Sequence, residues 1–249
     1  MKAAHNTILV TGGGSGIGGA LARRFHAAGN TVIVAGRRLE ALQEVVATCP
    51  GMSAMQLDIA DAGAIADFAA QVIAEHPGLN VLVNNAGIMS NEDKIDLAVA
   101  EATIATNLLG PIRLTAALLP QLLGRADAAI INVSSVLAFV PLAQGPTYCA
   151  TKAAIHSWTV SLRHQLAEAA VEVIEIIPPA VKTDILRGHP AAAASAMPLD
   201  AYIEETMAQL RQQPAPAEIY GERVRPIRNV TDLDAFARIF AAFNGAKSA

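Results

Sequence analysis

The chain has few cysteines, few aromatic residues and few charged residues. Its 249 residues include 2 cysteines, Cys49 and Cys149, which are too few for the disulfide framework of a small secreted domain. Aromatic residues make up 4% and charged residues 16%, whereas hydrophobic residues make up 53%. A core of this composition is packed by Ala, Val, Ile and Leu, which favours a sheet covered by helices on both faces.

Runs of basic residues and long uninterrupted apolar runs are also missing. The formal net charge is −4, and scattered basic residues exclude the positive patch of a nucleic-acid-binding protein. The first apolar strand starts near Thr7, which leaves no room for a signal peptide, and the apolar stretches are shorter than a membrane span. The 6 histidines lack metal-ligand spacing, so no metal site is predicted. These absences favour a cytoplasmic protein whose partner is a small molecule.

Short apolar runs alternate along the chain with longer amphipathic runs. NTILVTG, GIGGALARRFHAAG, NTVIVAGRR and LEALQEVVATC follow one another and indicate strand, helix, strand and helix. Six such repeats predict an α/β fold, a Rossmann-like doubly wound parallel sheet with helices on both faces, in which a seventh strand is left open. We assign a single domain to residues 1–249, with its core over 1–182 and a lid and C-terminal helices over 183–249.

The part after residue 182 differs in composition from the repeats. Residues 184–216 are rich in Ala, Met and Pro and are interpreted as a lid over the substrate, with a helix near 199–212. Two further helices are expected near 217–228 and 232–243. Long excursions after a strand are where such folds place ligand-binding parts.

The segment TGGGSGIG, residues 11–18, directly follows the first predicted strand and opens a helix. Glycines let the backbone approach a pyrophosphate, and the free N–H groups at a helix N-terminus attract anionic oxygens. The spacing is TGxxxGxG rather than GxGxxG, which is typical of a different branch of the dinucleotide-binding folds. A flexible glycine-rich turn is the alternative interpretation.

The second predicted strand ends in Gly36, Arg37 and Arg38. An acidic residue at this point would bind the adenosine ribose 2′-OH and repel a 2′-phosphate, whereas arginine accommodates that phosphate. The pair of arginines therefore favours NADP(H) over NAD(H). Alternatively, the arginines only start a solvated helix.

Tyr148 and Lys152 are four residues apart in TYCATKAAIHSW. Positions i and i+4 share one face of a helix, so the ammonium can approach the phenol. A nearby cation favours the phenolate and would lower the pKa of Tyr148 towards neutrality, where it can exchange a proton. Taken alone, this spacing also fits two unrelated residues on a helix surface.

The motifs occur together in a fixed order. TGGGSGIG is followed by NNAG at 84–87, Asn107, Ser135 with Tyr148 and Lys152, and PPAVKT at 178–183. This set resembles the short-chain dehydrogenase/reductase family in its single-domain form, over at least residues 7–184. The PPAV run and helical tail are similar to a bacterial subgroup linked by name to D-alanine esterification of teichoic acids. The resemblance implies oxidation of alcohols or reduction of carbonyls with a nicotinamide cofactor.

The resemblance also implies a catalytic set. Tyr148 would be the acid in reduction and the base in oxidation, while Lys152 would lower its pKa and bind the nicotinamide ribose. Ser135 would polarise the substrate oxygen, and Asn107 would hold a water that passes protons to Lys152. Ser135 is preferred to Ser134 because it precedes Tyr148 by the separation common in the family. Serines that end a strand and an asparagine that caps backbone are the alternatives.

Cofactor contacts are implied residue by residue. Asp58 would contact the adenine, unless it is only the N-cap of the next helix, and Asn84 and Gly87 would flank the ribose. Ser15 stands where many family members have a basic residue that supports NADP(H) binding. The implied cofactor residues are Thr11, Gly12, Gly14, Ser15, Gly16, Ile17, Gly18, Arg37, Arg38, Asp58, Ile59, Asn84, Ala86, Gly87, Tyr148, Lys152, Pro178, Val181 and Thr183.

The substrate is expected to be apolar, a ketone, an aldehyde or an alcohol. Pro179 replaces the glycine that usually follows the first proline, which stiffens the loop beside the nicotinamide. The helices of residues 95–123 and 146–170 carry more apolar residues than one buried face needs, which predicts a homodimer or homotetramer. A non-catalytic NADP(H)-sensing protein and a sugar-nucleotide epimerase are the other functions considered. The expected substrate contacts are Ser135, Leu137, Tyr148, Pro179 and Leu186, and the expected apolar walls add Ile88, Met89, Val136, Phe139, Leu142 and Met197.

Overall fold

A single parallel sheet of seven strands organises the computed structural model, which describes residues 1–245. Its strand order is β3-β2-β1-β4-β5-β6-β7. The order reverses direction between β1 and β4, and in such sheets ligands bind in the crevice beyond the carboxyl ends of the strands at that point. The strands are β1 Thr7–Thr11, β2 Thr31–Gly36, β3 Ser53–Gln56, β4 Leu79–Asn84, β5 Ala128–Val133, β6 Val171–Ile176 and β7 Glu218–Ile219.

Helices cover both faces of the sheet, as predicted. Alternate strand residues point to opposite faces, so Ile8 and Val10 of β1 pack with Leu21 and Phe25 on one face. Leu9 packs with Phe68 and with helix 110–123 on the other face. The helices are α1 Gly16–Ala27, α2 Leu39–Ala47, α3 Ala62–Glu75, α4 Leu97–Ile104, α5 Gly110–Leu123, α6 Pro146–Gln165, α7 Pro190–Ser195, α8 Leu199–Leu210, α9 Arg225–Arg228 and α10 Leu233–Asn244.

The seventh strand exists, and it lies where a helix was expected. Glu218–Ile219 pairs in parallel with the end of β6, Glu175 opposite Glu218 and Ile176 opposite Ile219. Helix begins only at Arg225. A two-residue strand is too short to show any alternation of polar and apolar residues, so the sequence gives it no signal.

Helix α8 belongs to the core rather than to a lid. Its side chains Tyr202, Ile203 and Met207 are buried in the same cluster as α1, and Arg24 of α1 forms an ion pair with Glu204 at 2.6 Å. The covering segment is therefore shorter than the predicted 184–216. It comprises residues 182–196, which leave and rejoin the body at the paired residues Val181 and Met197. Residues 246–249 of the predicted domain lie outside the described part.

The helical run Leu97–Leu123 is continuous through α4, a π-helical turn at Ala105–Leu109 and α5. By length and composition alone its 27 residues are apolar enough to cross a membrane, so the expectation that every apolar stretch falls short was wrong. Core helices pass the same test, and Leu114, Leu118 and Leu122 of this run are fully buried against the sheet. Burial of such a side chain stabilises a fold by about 1.5–3 kcal/mol.

Candidate active site

The loop after β1 is packed directly against the segment after β4. The Thr11 hydroxyl oxygen accepts hydrogen bonds from the backbone N–H groups of Asn85 at 3.0 Å and Ala86 at 3.1 Å. Gly12 has φ +66°, and a Cβ there would lie 2.9 Å from the Ala86 Cα. Only glycine combines this conformation with so close an approach. The two segments together form one wall of the switch-point crevice.

A cleft of about 800 Å³ runs along the carboxyl ends of the strands. Helix α1 begins at Gly16, so its free N–H groups open towards this cleft. Most of the predicted cofactor residues line it, namely Thr11, Gly12, Gly14, Ser15, Gly16, Ile17, Arg37, Arg38, Asp58, Ile59, Ala86, Gly87, Tyr148, Lys152, Pro178, Val181 and Thr183. The cleft therefore brings together predicted cofactor residues from separate segments of the chain.

Gly18 and Asn84 do not line the cleft. A Cβ on Gly18 would lie 2.5 Å from the Gly12 carbonyl oxygen, so this glycine allows α1 to pack on its own loop. Asn84 points into the sheet, where its Nδ2 donates to Asn132 at 2.9 Å. Asn85, which sequence reasoning missed, lines the cleft instead. Successive strand residues face opposite sides, and that alternation is the signal that distinguishes Asn84 from Asn85.

One end of the cleft is basic. Arg37 and Arg38 are exposed there, and neither forms an ion pair within residues 1–245. Asp58 also lines the cleft, and its Oδ1 accepts from the Ala60 N–H at 3.0 Å. Asp61 caps α3, which removes the alternative that Asp58 is a helix cap.

Tyr148 and Lys152 are both buried on α6 at the middle of the cleft. The Lys152 Nζ lies 5.6 Å from the Tyr148 ring centroid and donates to the Val133 carbonyl oxygen at 2.8 Å. Burial raises the pKa of Tyr148, and a hydrogen bond with Ser135 partly opposes this effect. The expected downward shift towards neutrality is therefore not present in this state. Burial also lowers the pKa of Lys152 to about 8, while Glu175 acts in the opposite direction.

The two serines after β5 have different surroundings. Ser135 opposes the effect of burial on the pKa of Tyr148, and its Oγ accepts from the Leu137 N–H at 3.1 Å. Ser134 is turned into the sheet, where both its N–H and its hydroxyl donate to the Ile176 carbonyl. Both serines line the cleft, and the Ser134 hydroxyl is the one engaged with the backbone of β6.

Asn107 lies in the π-helical turn between α4 and α5. Such turns are frequent at functional sites. Its Oδ1 accepts from the Ile88 N–H and its Nδ2 donates to the Ile88 carbonyl, both at 2.8 Å. Asn107 does not line the main cleft but a water-sized cavity beside it, together with Asn84, Asn132 and Lys152. Asn107 thus binds the backbone of Ile88, as the alternative interpretation had it, and also lies next to Lys152.

Many apolar side chains line the part of the cleft beside Ser135 and Tyr148. Phe139 and Met197 are not on its wall, because Phe139 packs on His156 and Met197 pairs with Val181. The expected residues that do line it are Ile88, Met89, Ser135, Val136, Leu137, Leu142, Tyr148, Pro179 and Leu186. Sequence reasoning missed the wall residues Gln144, Arg223, Ile227 and Phe243, which come from segments far apart in the chain.

His189 is the buried polar residue of the covering segment. Its side chain is 1% exposed and lines the cleft, and neither ring nitrogen has a protein partner within the described residues. Burial lowers its pKa, so the ring is neutral at pH 7. Cys149, by contrast, is engaged with the backbone of Leu142, and burial raises its pKa. These features make Cys149 a packing residue rather than a reactive thiol.

Comparison with known proteins agrees with this geometry. The family model for short chain dehydrogenase matches residues 6–193. The chain is a short-chain dehydrogenase. This short-chain dehydrogenase is 39% identical over 251 residues to the uncharacterized oxidoreductase DltE of Bacillus subtilis, covering 98% of each chain. The match confirms the subgroup that the PPAV run indicated.

Two further similar proteins are described with NADP. The NADP-dependent 3-hydroxy acid dehydrogenase YdfG of Escherichia coli is 37% identical over 175 residues, with 69% of this chain and 71% of that protein covered. A short chain dehydrogenase from Burkholderia cenocepacia, solved in complex with NADP, superposes with a TM-score of 0.83 at 26% identity, covering 99% and 100% of the two chains. The short-chain dehydrogenase described here is an oxidoreductase with the Rossmann-like fold of these proteins.

Proposed function

We propose that the protein interconverts a carbonyl compound and an alcohol with NADP(H). The observation that supports this most directly is the shared wall of one cleft, where Ser135, Tyr148 and Lys152 lie beside the β1–α1 loop. NADPH, when bound, would supply the hydride. The cleft contains a glycine-rich cradle, a helix N-terminus and two unpaired guanidinium groups, which suit its pyrophosphate and its 2′-phosphate.

Side chains of the protein would carry out the steps other than hydride supply. Ser135 would donate a hydrogen bond to the substrate oxygen, and Tyr148, protonated at neutral pH, would give it a proton. The Lys152 ammonium would stabilise the phenolate that remains and bind the nicotinamide ribose hydroxyls. A water in the small cavity lined by Asn107 and Lys152 would return the proton. Burial raises the pKa of Tyr148, so its hydroxyl holds the proton that reduction of a carbonyl requires.

The substrate is proposed to be an apolar ketone or aldehyde. The pocket walls at that end include the aliphatic side chains of Leu137, Leu142 and Leu186 and the ring of Phe243. Gln144, His189 and Arg223 are polar members of the same lining. The test is NADPH oxidation with matched pairs of carbonyl compounds, for example a 3-oxo ester beside the corresponding 3-oxo acid. Faster reduction of the neutral member is expected. Activity confined to the acids would overturn the substrate class, and no activity on any carbonyl despite tight NADPH binding would overturn the reaction.

NADPH is expected to be preferred to NADH. Loss of a charge-assisted contact weakens binding by about 1.5–3 kcal/mol, so Arg37→Ser with Arg38→Ser should raise KM for NADPH roughly 10-fold to 100-fold. KM for NADH should hardly change. Arg23→Ser is the matched control, because Arg23 is exposed but lies outside the cleft. A preference for NADH in the wild-type protein would contradict the proposal.

The protein is proposed to form a homo-oligomer through α4 and α6. Ile104 is 39% exposed and Val160 is 44% exposed, on helices that pack against each other. Light scattering should give at least twice the chain mass of 25.8 kDa, and Ile104→Glu with Val160→Glu should return it to that mass. Leu233→Glu, at an exposed leucine on α10, should have no effect. A monomeric wild-type protein at micromolar concentration would contradict this interface.

A cytoplasmic location is proposed as well. Both cysteines are free thiols in the structure and both are buried. Free thiols suit a reducing compartment.

A further inference from the structure

A row of polar side chains crosses the sheet next to the catalytic lysine. Strand register places Asn84 opposite Asn132, Asn132 opposite Glu175, and Glu175 opposite Glu218. Partners in register share a face of the sheet. Glu175 has 0% exposure, and a buried carboxylate is costly unless it has hydrogen bonds and a positive partner. The buried negative charge of Glu175 therefore needs hydrogen-bond donors and a nearby positive charge.

His156 satisfies the hydrogen bonding of Glu175. The Nδ1 of His156 on α6 lies 2.8 Å from one carboxylate oxygen and 3.1 Å from the other. A carboxylate can only accept, so Nδ1 carries the hydrogen. This contact fixes the orientation of the carboxylate below α6. It does not require a positive charge on the ring.

The arginines nearest to Glu175 are already engaged. Arg228 makes two hydrogen bonds of 2.8 Å to the Glu218 carboxylate and stacks over the Phe139 ring. Arg163 donates to the backbone carbonyls of Val173 and Ala217. The group His156, Glu175 and Glu218 has ligand atoms within 4.8 Å of one another, a cluster that sequence spacing did not reveal. Because Arg228 engages Glu218 and His156 engages Glu175, we assign no metal to it.

Lys152 is a further cation that Glu175 acts on. It precedes His156 by one turn of α6, and its Nζ donates to the carbonyl of Val133, the residue after the Asn132 that pairs with Glu175. Among the described residues, the titratable or charged groups around this pair are Tyr148, His156 and Arg163 on α6, Glu218 on β7 and Arg228 on α9. Glu175 raises the pKa of Lys152 against the effect of burial.

We propose that Glu175 is a positioning residue for catalysis, whose buried carboxylate, oriented by His156, is the countercharge that keeps Lys152 an ammonium group at neutral pH. This inference rests on the proposed function, in which the Lys152 charge stabilises the Tyr148 phenolate. It assigns to Glu175 a role that neither the Gly-rich loop nor the Tyr-Lys spacing predicts. Arg228 makes its hydrogen bonds to Glu218, although the charge of Glu175 also raises the pKa of Arg228.

Direct measurement of Lys152 protonation tests the proposal. Competitive labelling with trace acetic anhydride across pH 6–11, read by peptide mass spectrometry, reports the fraction of each lysine that is neutral. The exposed Lys94 serves as internal reference. Glu175→Gln and Glu175→Met should each lower the pKa of Lys152 by about 1 unit, as expected when a neighbouring opposite charge is removed. Glu172→Gln on the same strand is the matched control, because Glu172 is partly exposed and pairs with the N-terminal amine.

The pH profile of carbonyl reduction gives the second readout. In the wild-type protein the rate should fall above about pH 8, the pKa of buried Lys152, and this alkaline limb should move down by about 1 unit in the Glu175 variants. An unchanged Lys152 pKa in either folded variant, or an equal shift in Glu172→Gln, would overturn the proposal. Failure of both Glu175 variants to fold would assign Glu175 a structural role and would also overturn it. Labelling needs no turnover, so it separates this inference from the failure of the proposed reaction.

Discussion

Tyr148→Phe is expected to reduce the rate of carbonyl reduction by about 10²–10⁴-fold, the contribution typical of a positioned general acid. The change removes one hydroxyl from a ring that is 7% exposed, so the packing of α6 is retained. NADPH binding, followed by its fluorescence, and the thermal midpoint should change little. Single-turnover NADPH oxidation measures the chemical step alone. This separates loss of the acid from loss of the cofactor.

Tyr202→Phe is the matched control for this change. Tyr202 is also a buried tyrosine, 3% exposed, but it lies on α8 in the core. Its hydroxyl has no protein partner within the described residues, so its removal should affect neither rate nor fold. If the Tyr148 variant kept more than a tenth of the wild-type rate, or if the Tyr202 variant lost as much, Tyr148 would not be the proton donor.

Gly12→Ala is expected to destabilise the protein by about 2–5 kcal/mol and to weaken NADPH binding severely. The left-handed conformation costs a non-glycine residue about 1–2 kcal/mol, and overpacking adds about 1–3 kcal/mol. The added Cβ would meet the Ala86 backbone at 2.9 Å, and backbone cannot rotate away. Relaxation of the loop would move the N–H groups that face the cleft. Urea denaturation at fixed protein concentration and NADPH titration measure the two effects.

Gly29→Ala separates conformational strain from crowding. Gly29 has φ +84°, but a Cβ there would have no neighbour closer than 3.9 Å, and it is not a cleft residue. Its substitution should cost only the strain, about 1–2 kcal/mol, with NADPH binding unchanged. Equal destabilisation by the two substitutions, together with normal NADPH binding in the Gly12 variant, would refute the close-packing explanation.

The parallel sheet could be predicted because five of its strands, β1, β2, β4, β5 and β6, are largely buried on both faces. Such strands consist of continuous apolar runs like TILVT and AAIINV, which turn residues and amphipathic helices separate clearly. The residues that line the cleft could also be predicted from the sequence. They follow these strands directly, and the carboxyl ends of parallel strands meet at one edge of the sheet.

The remaining features depend on contacts between distant segments. Whether α8 covers a substrate or packs on α1 is decided by the partner of Tyr202 and Met207, which the helix's own pattern does not contain. The environment of Glu175 joins β6, β7, α6 and α9. The direction of the Tyr148 pKa shift was also misjudged, because burial outweighs a lysine whose ammonium is turned towards the Val133 carbonyl.

The pairing of Val181 with Met197 has an evolutionary consequence. It clamps both ends of residues 182–196 to the body, with hydrogen bonds from Lys182 to Met197 and from Met197 to Ala180. Within this clamp, insertions or deletions change the closure entropy only slowly with length, and they leave the register of the sheet untouched. The segment is thus an exchangeable cassette. Lineages with this body could acquire new substrates by rewriting fewer than a tenth of their residues, while the proton-transfer groups of α6 stay fixed.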